Sequence, residues 1–189
     1  MILAQALAAY DPPRAPEKLE PVLDPGGNPY AGQVKTSSNQ VLSPEASKRI
    51  STVYRCSNGI SDDIASMPLQ HMSRASGDAL QVPPDSITHN LAYLLEIKPN
   101  RWMTPFIFKK MVIDWTMLWG NGLVWQPSPP AERELFVLPT NLVRPLLDKS
   151  GYVWYEVRMP QGKKKHLPQD EVFKVMINST NGIWGRSIF

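Results

Sequence analysis

The side chains best equipped for chemistry are His71, His89 and His166, the adjacent pair Asp62-Asp63, the single Cys56, the run Lys163-Lys164-Lys165 and six tryptophans. A metal site needs several convergent ligands, but the histidines are scattered and none pairs along a helix with a carboxylate between. Adjacent aspartates on a helix point about 100° apart and cannot readily share one substrate proton, so Asp62-Asp63 reads as a solvated helix face. One cysteine excludes an internal disulfide and a multi-cysteine zinc site, and Cys56 reads as a small buried residue. No glycine-rich loop ends in Lys-Ser or Lys-Thr, and no Gly-x-Ser-x-Gly elbow occurs. No catalytic, cofactor-binding or metal-ligating residue is therefore expected.

Lys163, Lys164 and Lys165 follow a turn signal at Pro160-Gln161-Gly162. They could meet DNA phosphate or an acidic subunit by charge attraction, or protect a hairpin edge against aggregation. Trp102, Trp115, Trp119, Trp125, Trp154 and Trp184 lack the regular interleaving with Lys or Arg of a base-stacking platform, which favours core packing and subunit interfaces. With 20 basic against 17 acidic residues the net charge of +3 is too slight to define a nucleic-acid surface.

The elements that would position these side chains are written in capping and periodicity. The 189 residues are 42% hydrophobic, enough for one domain with a real core. Residues 1–42 are expected to be a flexible arm rich in proline, with Pro12, Pro13, Pro16, Pro21, Pro25 and Pro29. Its apolar start lacks the basic residues of a signal peptide. Residues 43–189 are expected to form the domain. Ser43-Pro44-Glu45 marks a helix start, and Ala46, Ile50, Val53, Ile60, Ile64 and Met67 form an apolar stripe ending at Pro68. A surface hairpin should follow, from Leu69 through a turn at Ser76-Gly77-Asp78.

Ser86 can cap a second helix through Leu95, and Thr104-Pro105 a third, from Phe106 to Trp119. That third helix is apolar on nearly every side and should centre the core, each large side chain contributing roughly 2 to 3 kcal/mol on full burial. At 14 residues with Lys109, Lys110 and Asp114 inside, it is too short and too charged to cross a bilayer. Gly120-Asn121-Gly122 should stop it. Beyond it, Leu123–Gln126, Glu134–Leu138, Val143–Leu147, Tyr152–Met159 and Val172–Ile177 read as short strands, with a hairpin turn at Asp148-Lys149-Ser150-Gly151. The expected class is α+β, helices packed on a mostly antiparallel sheet.

Taken in order, several segments resemble the portal proteins of lambdoid-type long-tailed phages, from about Ile50 to Phe189. They are Thr52–Leu69, then His89-Asn90-Leu91 to Lys98-Pro99-Asn100 and Met103–Phe106. Leu118-Trp119-Gly120-Asn121-Gly122 follows, and Leu138-Pro139, Val143, Gly151-Tyr152 to Tyr155, Leu167-Pro168, Glu171-Val172-Phe173 and Asn181-Gly182-Ile183-Trp184-Gly185-Arg186-Ser187 complete the series. Gly122 stands where that family often has alanine. The resemblance marks Pro99, Asn100, Gly120, Asn121, Gly182, Gly185 and Ser187 as motif residues of structural weight.

What the resemblance implies is a portal wing-like domain in a homo-oligomeric ring, a dodecamer, at one vertex of the virion head. Such a ring would be assembled in the host cytoplasm. Its partners would be the major capsid protein, the terminase, a head-tail adaptor and double-stranded DNA passing through the channel, with no membrane and no cofactor. Stem, clip and crown regions of the family would lie outside this stretch. Trp154, Tyr155 and Lys163 to Lys165 are contact candidates on the expectation of exposure. Two other readings are a truncated prophage remnant and a nucleic-acid-processing enzyme.

Overall fold

The computed structural model describes residues 2–16, 18–22, 34–35, 41–42, 47–75, 78–85, 90–127, 133–159 and 162–187. Around Pro105–Trp119, here α4, the other elements are arranged in layers. Thr104 caps it, its Oγ1 accepting from Ile107 N–H at 3.3 Å, with proline in the first turn as expected. Phe108, Val112, Thr116 and Leu118 are buried, while Phe106 and Ile107 in the first turn remain exposed.

One face of α4 rests on a three-stranded antiparallel sheet, formed in spatial order by Val172–Met176 (β11), Asn121–Trp125 (β6) and Phe136–Leu138 (β7). Every residue of β6 is buried. The pleat divides its side chains: Val124 and Val137 join Phe108 and Val112 in one apolar cluster. Leu123, Trp125, Phe136, Leu138 and Val172 enter a second cluster on the opposite face.

The second cluster is completed by a four-stranded antiparallel sheet. Its strands, in spatial order, are Glu20–Pro21 (β1), Val143–Leu147 (β8), Val153–Arg158 (β9) and Lys164–Pro168 (β10). Val143, Tyr155, Val157 and Leu167 supply its share of that core. The fold is therefore α+β, as the periodicity indicates, with the helix and strand blocks in the expected order. Strand β10 is not marked by periodicity: Lys164 and Lys165 begin it at the edge of the sheet, Lys164 opposite Arg158 and Lys165 opposite Val157, with Lys163 just before it.

The first long helix, α2, spans Ser51–Ser66 rather than starting at residue 43. Ile50 is extended and offers no side-chain cap, so the helical run is interrupted before Ser51. The proposed cap at Ser43-Pro44-Glu45 lies outside the described residues. More important, the face that packs on α4 is not the apolar stripe. Ser57, Ser61 and Ala65 are buried, whereas Ile50, Ile60, Ile64 and Met67 are all exposed. Polar couplings account for the choice of face: Ser61 Oγ donates to Asp114 Oδ1 at 2.6 Å, and Lys110 bridges Asn58 and Asp62. Small side chains let the helices approach closely enough for those contacts. Cys56 points the other way and is exposed, not buried.

A surface hairpin follows, Met72–Ala75 (β4) with Asp78–Gln81 (β5), the expected turn at Ser76-Gly77 lying outside the described residues. Helix α3, Leu91–Glu96, is capped by Asn90, whose Oδ1 accepts from Tyr93 N–H at 2.9 Å. Asn90 rather than Ser86 therefore caps it, and Ser86 itself is outside the described residues. Ser128, Pro129 and Pro130 and the turn residues Pro160 and Gln161 are likewise outside them.

The arm expected over residues 1–42 is docked at its start. Ile2–Ala9 forms helix α1, and Leu7, only 2% exposed, belongs to the core shared by the two sheets. Two further pieces, Val34–Lys35 (β2) and Val41–Leu42 (β3), pair with each other. Strand β1 pairs with β8, Glu20 opposite Leu147, and Val22 N–H donates to Pro145 O at 3.3 Å. An apolar helix loses more by solvation than it gains in chain freedom once a core edge can receive it.

Candidate functional site

Four of the residues singled out by motif, Gly120, Asn121, Gly185 and Ser187, meet at one junction. Gly120 ends α4 in the left-handed conformation, φ +78°, and Asn121 opens β6 with its side chain fully buried. Asn121 Nδ2 donates to Gly185 O at 2.9 Å, and Gly185 N–H donates to Asn121 Oδ1 at 2.8 Å. A single amide thus pairs with the backbone of a residue 64 positions away, satisfying both of its polar groups. Thr140 Oγ1 donates to Asn121 O at 2.6 Å, and Ser187 Oγ to Leu118 O at 2.5 Å.

Space at this junction admits only glycine. A Cβ on Gly120 would lie 2.4 Å from the Arg186 backbone, and one on Gly185 would lie 2.1 Å from Gly120 O. On Gly122 it would meet Thr116 Oγ1 at 2.3 Å and Val112 O at 2.5 Å, so the closeness of β6 to α4 fits glycine at this third position. The loop itself is folded by Asn181, whose Oδ1 accepts from Ile183 and Trp184 N–H, both at 2.9 Å. Gly182 has φ +71°, and its N–H donates to Ser179 Oγ at 3.0 Å.

Asn100 performs a similar service at the α3–α4 turn. Its Oδ1 accepts from Trp102 and Met103 N–H at 3.0 Å each, and its Nδ2 donates to Leu135 O at 2.8 Å, fixing the turn to the strand β7 entry. Pro99, fully buried beside it, accepts from Leu135 N–H at 2.8 Å.

A second constellation holds the N-terminal helix. Glu171, 6% exposed, accepts from Tyr10 OH at 2.5 Å and from Trp125 Nε1 at 3.2 Å. The Tyr10 ring meets Trp125 edge-on at 5.1 Å between centroids. Lys165 donates to Leu7 O, completing the C-terminal end of α1, and lies 5.4 Å from the Tyr10 ring centre. Burial, followed by the bond to Glu171, pushes the Tyr10 hydroxyl far above its ordinary range, and burial lowers the Lys165 ammonium. Tyr10 escapes a motif-based reading because it stands alone in its segment, whereas Glu171 opens the Glu171-Val172-Phe173 segment of the resemblance, with nothing in the sequence to pair the two.

The contact candidates fare differently. Trp154 and Tyr155 are buried, 7% and 3% exposed, so the exposure that motivated them is absent. Strand β9 lies between β8 and β10 in its sheet, so both of its edges are paired, and its residues from Trp154 to Val157 are all buried. Within the lysine run, Lys165 caps α1 and Lys164 pairs with the buried Glu156 at 3.0 Å, His166 lying 3.7 Å from the same carboxylate. Lys163 is exposed. Among the described residues no group of three or more His, Cys, Asp or Glu is placed to hold a metal ion, and no helix is long and apolar enough to cross a membrane.

This is an α+β fold whose most constrained residues serve joints between elements, and it is shared with solved structures of phage-like particle necks. The neck of a native GTA particle, computed with C12 symmetry, superposes with a TM-score of 0.54 at 19% identity, over 71% of this chain and 34% of that one. The virion of a native gene transfer agent particle gives 0.58 at 17% identity, over 84% of this chain and 41% of that one. A protein of Rickettsia bellii (strain RML369-C), described as uncharacterized, is 27% identical over 112 residues, 59% of this chain and 27% of its own length. The model of the phage portal protein family matches residues 51–189. The chain belongs to the phage portal protein family. It spans about a third to two fifths of the two solved chains.

Proposed function

We propose that the chain is a structural subunit of a portal ring in the head-neck region of a phage-like particle. Twelve copies would surround the passage for double-stranded DNA. The observation that carries this is the family match across the whole of residues 51–189, joined to a fold also found in a neck with C12 symmetry. The arrangement of side chains agrees with a mechanical role. Three of its buried polar residues, Asn121, Asn100 and Glu171, are spent on backbone and tyrosine or tryptophan partners. A load-transmitting subunit gains from such joints because they have one satisfied arrangement and resist shear between helices and sheets.

In this reading the partners are neighbouring copies, the major capsid protein, the terminase and a head-tail adaptor, and the chain resides in the virion after assembly in the host cytoplasm. No reaction is assigned to it. Electron microscopy of the purified protein tests the proposal: closed rings with a central opening are expected, and particles without an opening at every concentration would refute it.

A further inference from the structure

Strand β11 is the outermost strand of the β11-β6-β7 sheet among the described residues. Gln126 N–H donates to Glu171 O and Ile177 N–H to Gly120 O, which fixes the ladder's parity. With Phe173 opposite Val124 and Val175 opposite Gly122, the backbones of Phe173 and Val175 bond inward to β6. Those of Lys174 and Met176 therefore direct N–H and C=O groups away from the sheet. Phe173 and Val175 share the face of Val124, and they are 52% and 47% exposed. An open edge accepts an extended segment through its free N–H and C=O groups, and Phe173 and Val175 beside it can cover an apolar side chain of that segment.

The same molecule holds a strand pair short of neighbours. The β4–β5 hairpin is a two-stranded sheet of its own, joined to α3 by Gln81 Nε2 and Glu96 Oε1 at 3.5 Å. Met72 and Leu80 on it are 48% and 61% exposed. Two-stranded hairpins are marginal in water and gain from a third strand. A cyclic ring needs two unlike, complementary patches on each subunit, and an edge acceptor with a separate hairpin donor provides that pair.

Resting on the ring reading above, we infer that the β4–β5 hairpin of one copy adds to the β11 edge of the next, extending its sheet across the subunit boundary. The occupant is thus a second copy of this chain.

Hydrogen exchange on the full chain tests this, comparing assembled with dilute protein. Assembly should slow the amides of Lys174 and Met176 by at least roughly tenfold, together with outward-facing hairpin amides. Phe173→Lys/Val175→Lys, which alters only exposed side chains, should leave the subunit folded yet unable to close rings. Rings whose Lys174 and Met176 amides exchange as in the dilute chain would overturn the inference while leaving the ring reading intact. A synthetic peptide of residues 70–83, added to dilute protein, gives an arm independent of rings. If no rings form, protection of the same two amides by the peptide supports the edge as a hairpin acceptor, and no protection overturns it. Protection of β11 in rings without protection of the hairpin would also overturn it, since another segment would then be the occupant.

Discussion

Asn121 and Gly185 are tied by two opposed hydrogen bonds, 2.9 Å and 2.8 Å, so that one side-chain amide stands in for a strand partner. This joins the end of α4 and the start of β6 to the loop that follows β11. Asn121→Ala would leave the Gly185 N–H and C=O buried without those partners. A loss of about 2 to 4 kcal/mol in unfolding free energy is expected, measured by urea denaturation. Asn121→Asp should lose at least as much at neutral pH, because a carboxylate can accept from Gly185 N–H but cannot donate to its carbonyl.

Gly120 and Gly151 both adopt positive φ, +78° and +83°, yet only Gly120 is crowded, its Cβ position lying 2.4 Å from Arg186. Gly151→Ala should therefore cost only the backbone strain, about 1 kcal/mol, and Gly120→Ala clearly more, with backbone displacement added. Thermal melts of the two variants side by side separate strain from collision.

The buried face of α2 supplies another pair. Ala65, 1% exposed against α4, should tolerate leucine poorly, at about 1 to 3 kcal/mol for overpacking. Ile64→Ser, on a side chain 39% exposed, should change subunit stability by no more than about 0.5 kcal/mol. Equal effects would mean that the apolar stripe, not the small-residue face, meets the core.

At high pH the core tyrosine should matter. Burial pushes Tyr155 up to about 12 from 10.0, so its hydroxyl stays neutral in the folded chain where it ionises in the unfolded one. Its contribution is complete below pH 10.0 and is lost as pH rises towards about 12. Tyr155→Phe should flatten the alkaline fall in stability over that window, read from unfolding curves between pH 9 and 12, whose limits are roughly those of phenol ionisation.

For the N-terminal helix, Tyr10→Phe removes the bond to Glu171 and Lys165→Gln the charge at the end of α1. Either change should speed proteolysis within residues 11–16 and shift Trp125 fluorescence, while the spectrum of the remaining domain stays native. Unaltered cleavage would mean that α1 is held by apolar contact alone.

Local chemistry was legible where it is self-contained. The Thr104-Pro105 cap, the Gly120-Asn121 stop, the Asp148–Gly151 turn and the alternating strands need only their own neighbours, and the structure places them as periodicity indicates. Pairings across the chain were not legible. The choice of Ser57, Ser61 and Ala65 over the isoleucines depends on Lys110 and Asp114 of another helix. The docking of α1 depends on Glu171, 161 residues beyond Tyr10. Motif residues such as Asn121 and Gly185 stood out individually, but their mutual bonding follows only from the closed fold.

The central claim, a ring-forming portal subunit, is tested most directly by native mass spectrometry of the purified chain. The expected result is a closed assembly of twelve copies, matching the C12 symmetry of the similar neck. A spectrum containing only monomer across the accessible concentration range would contradict it.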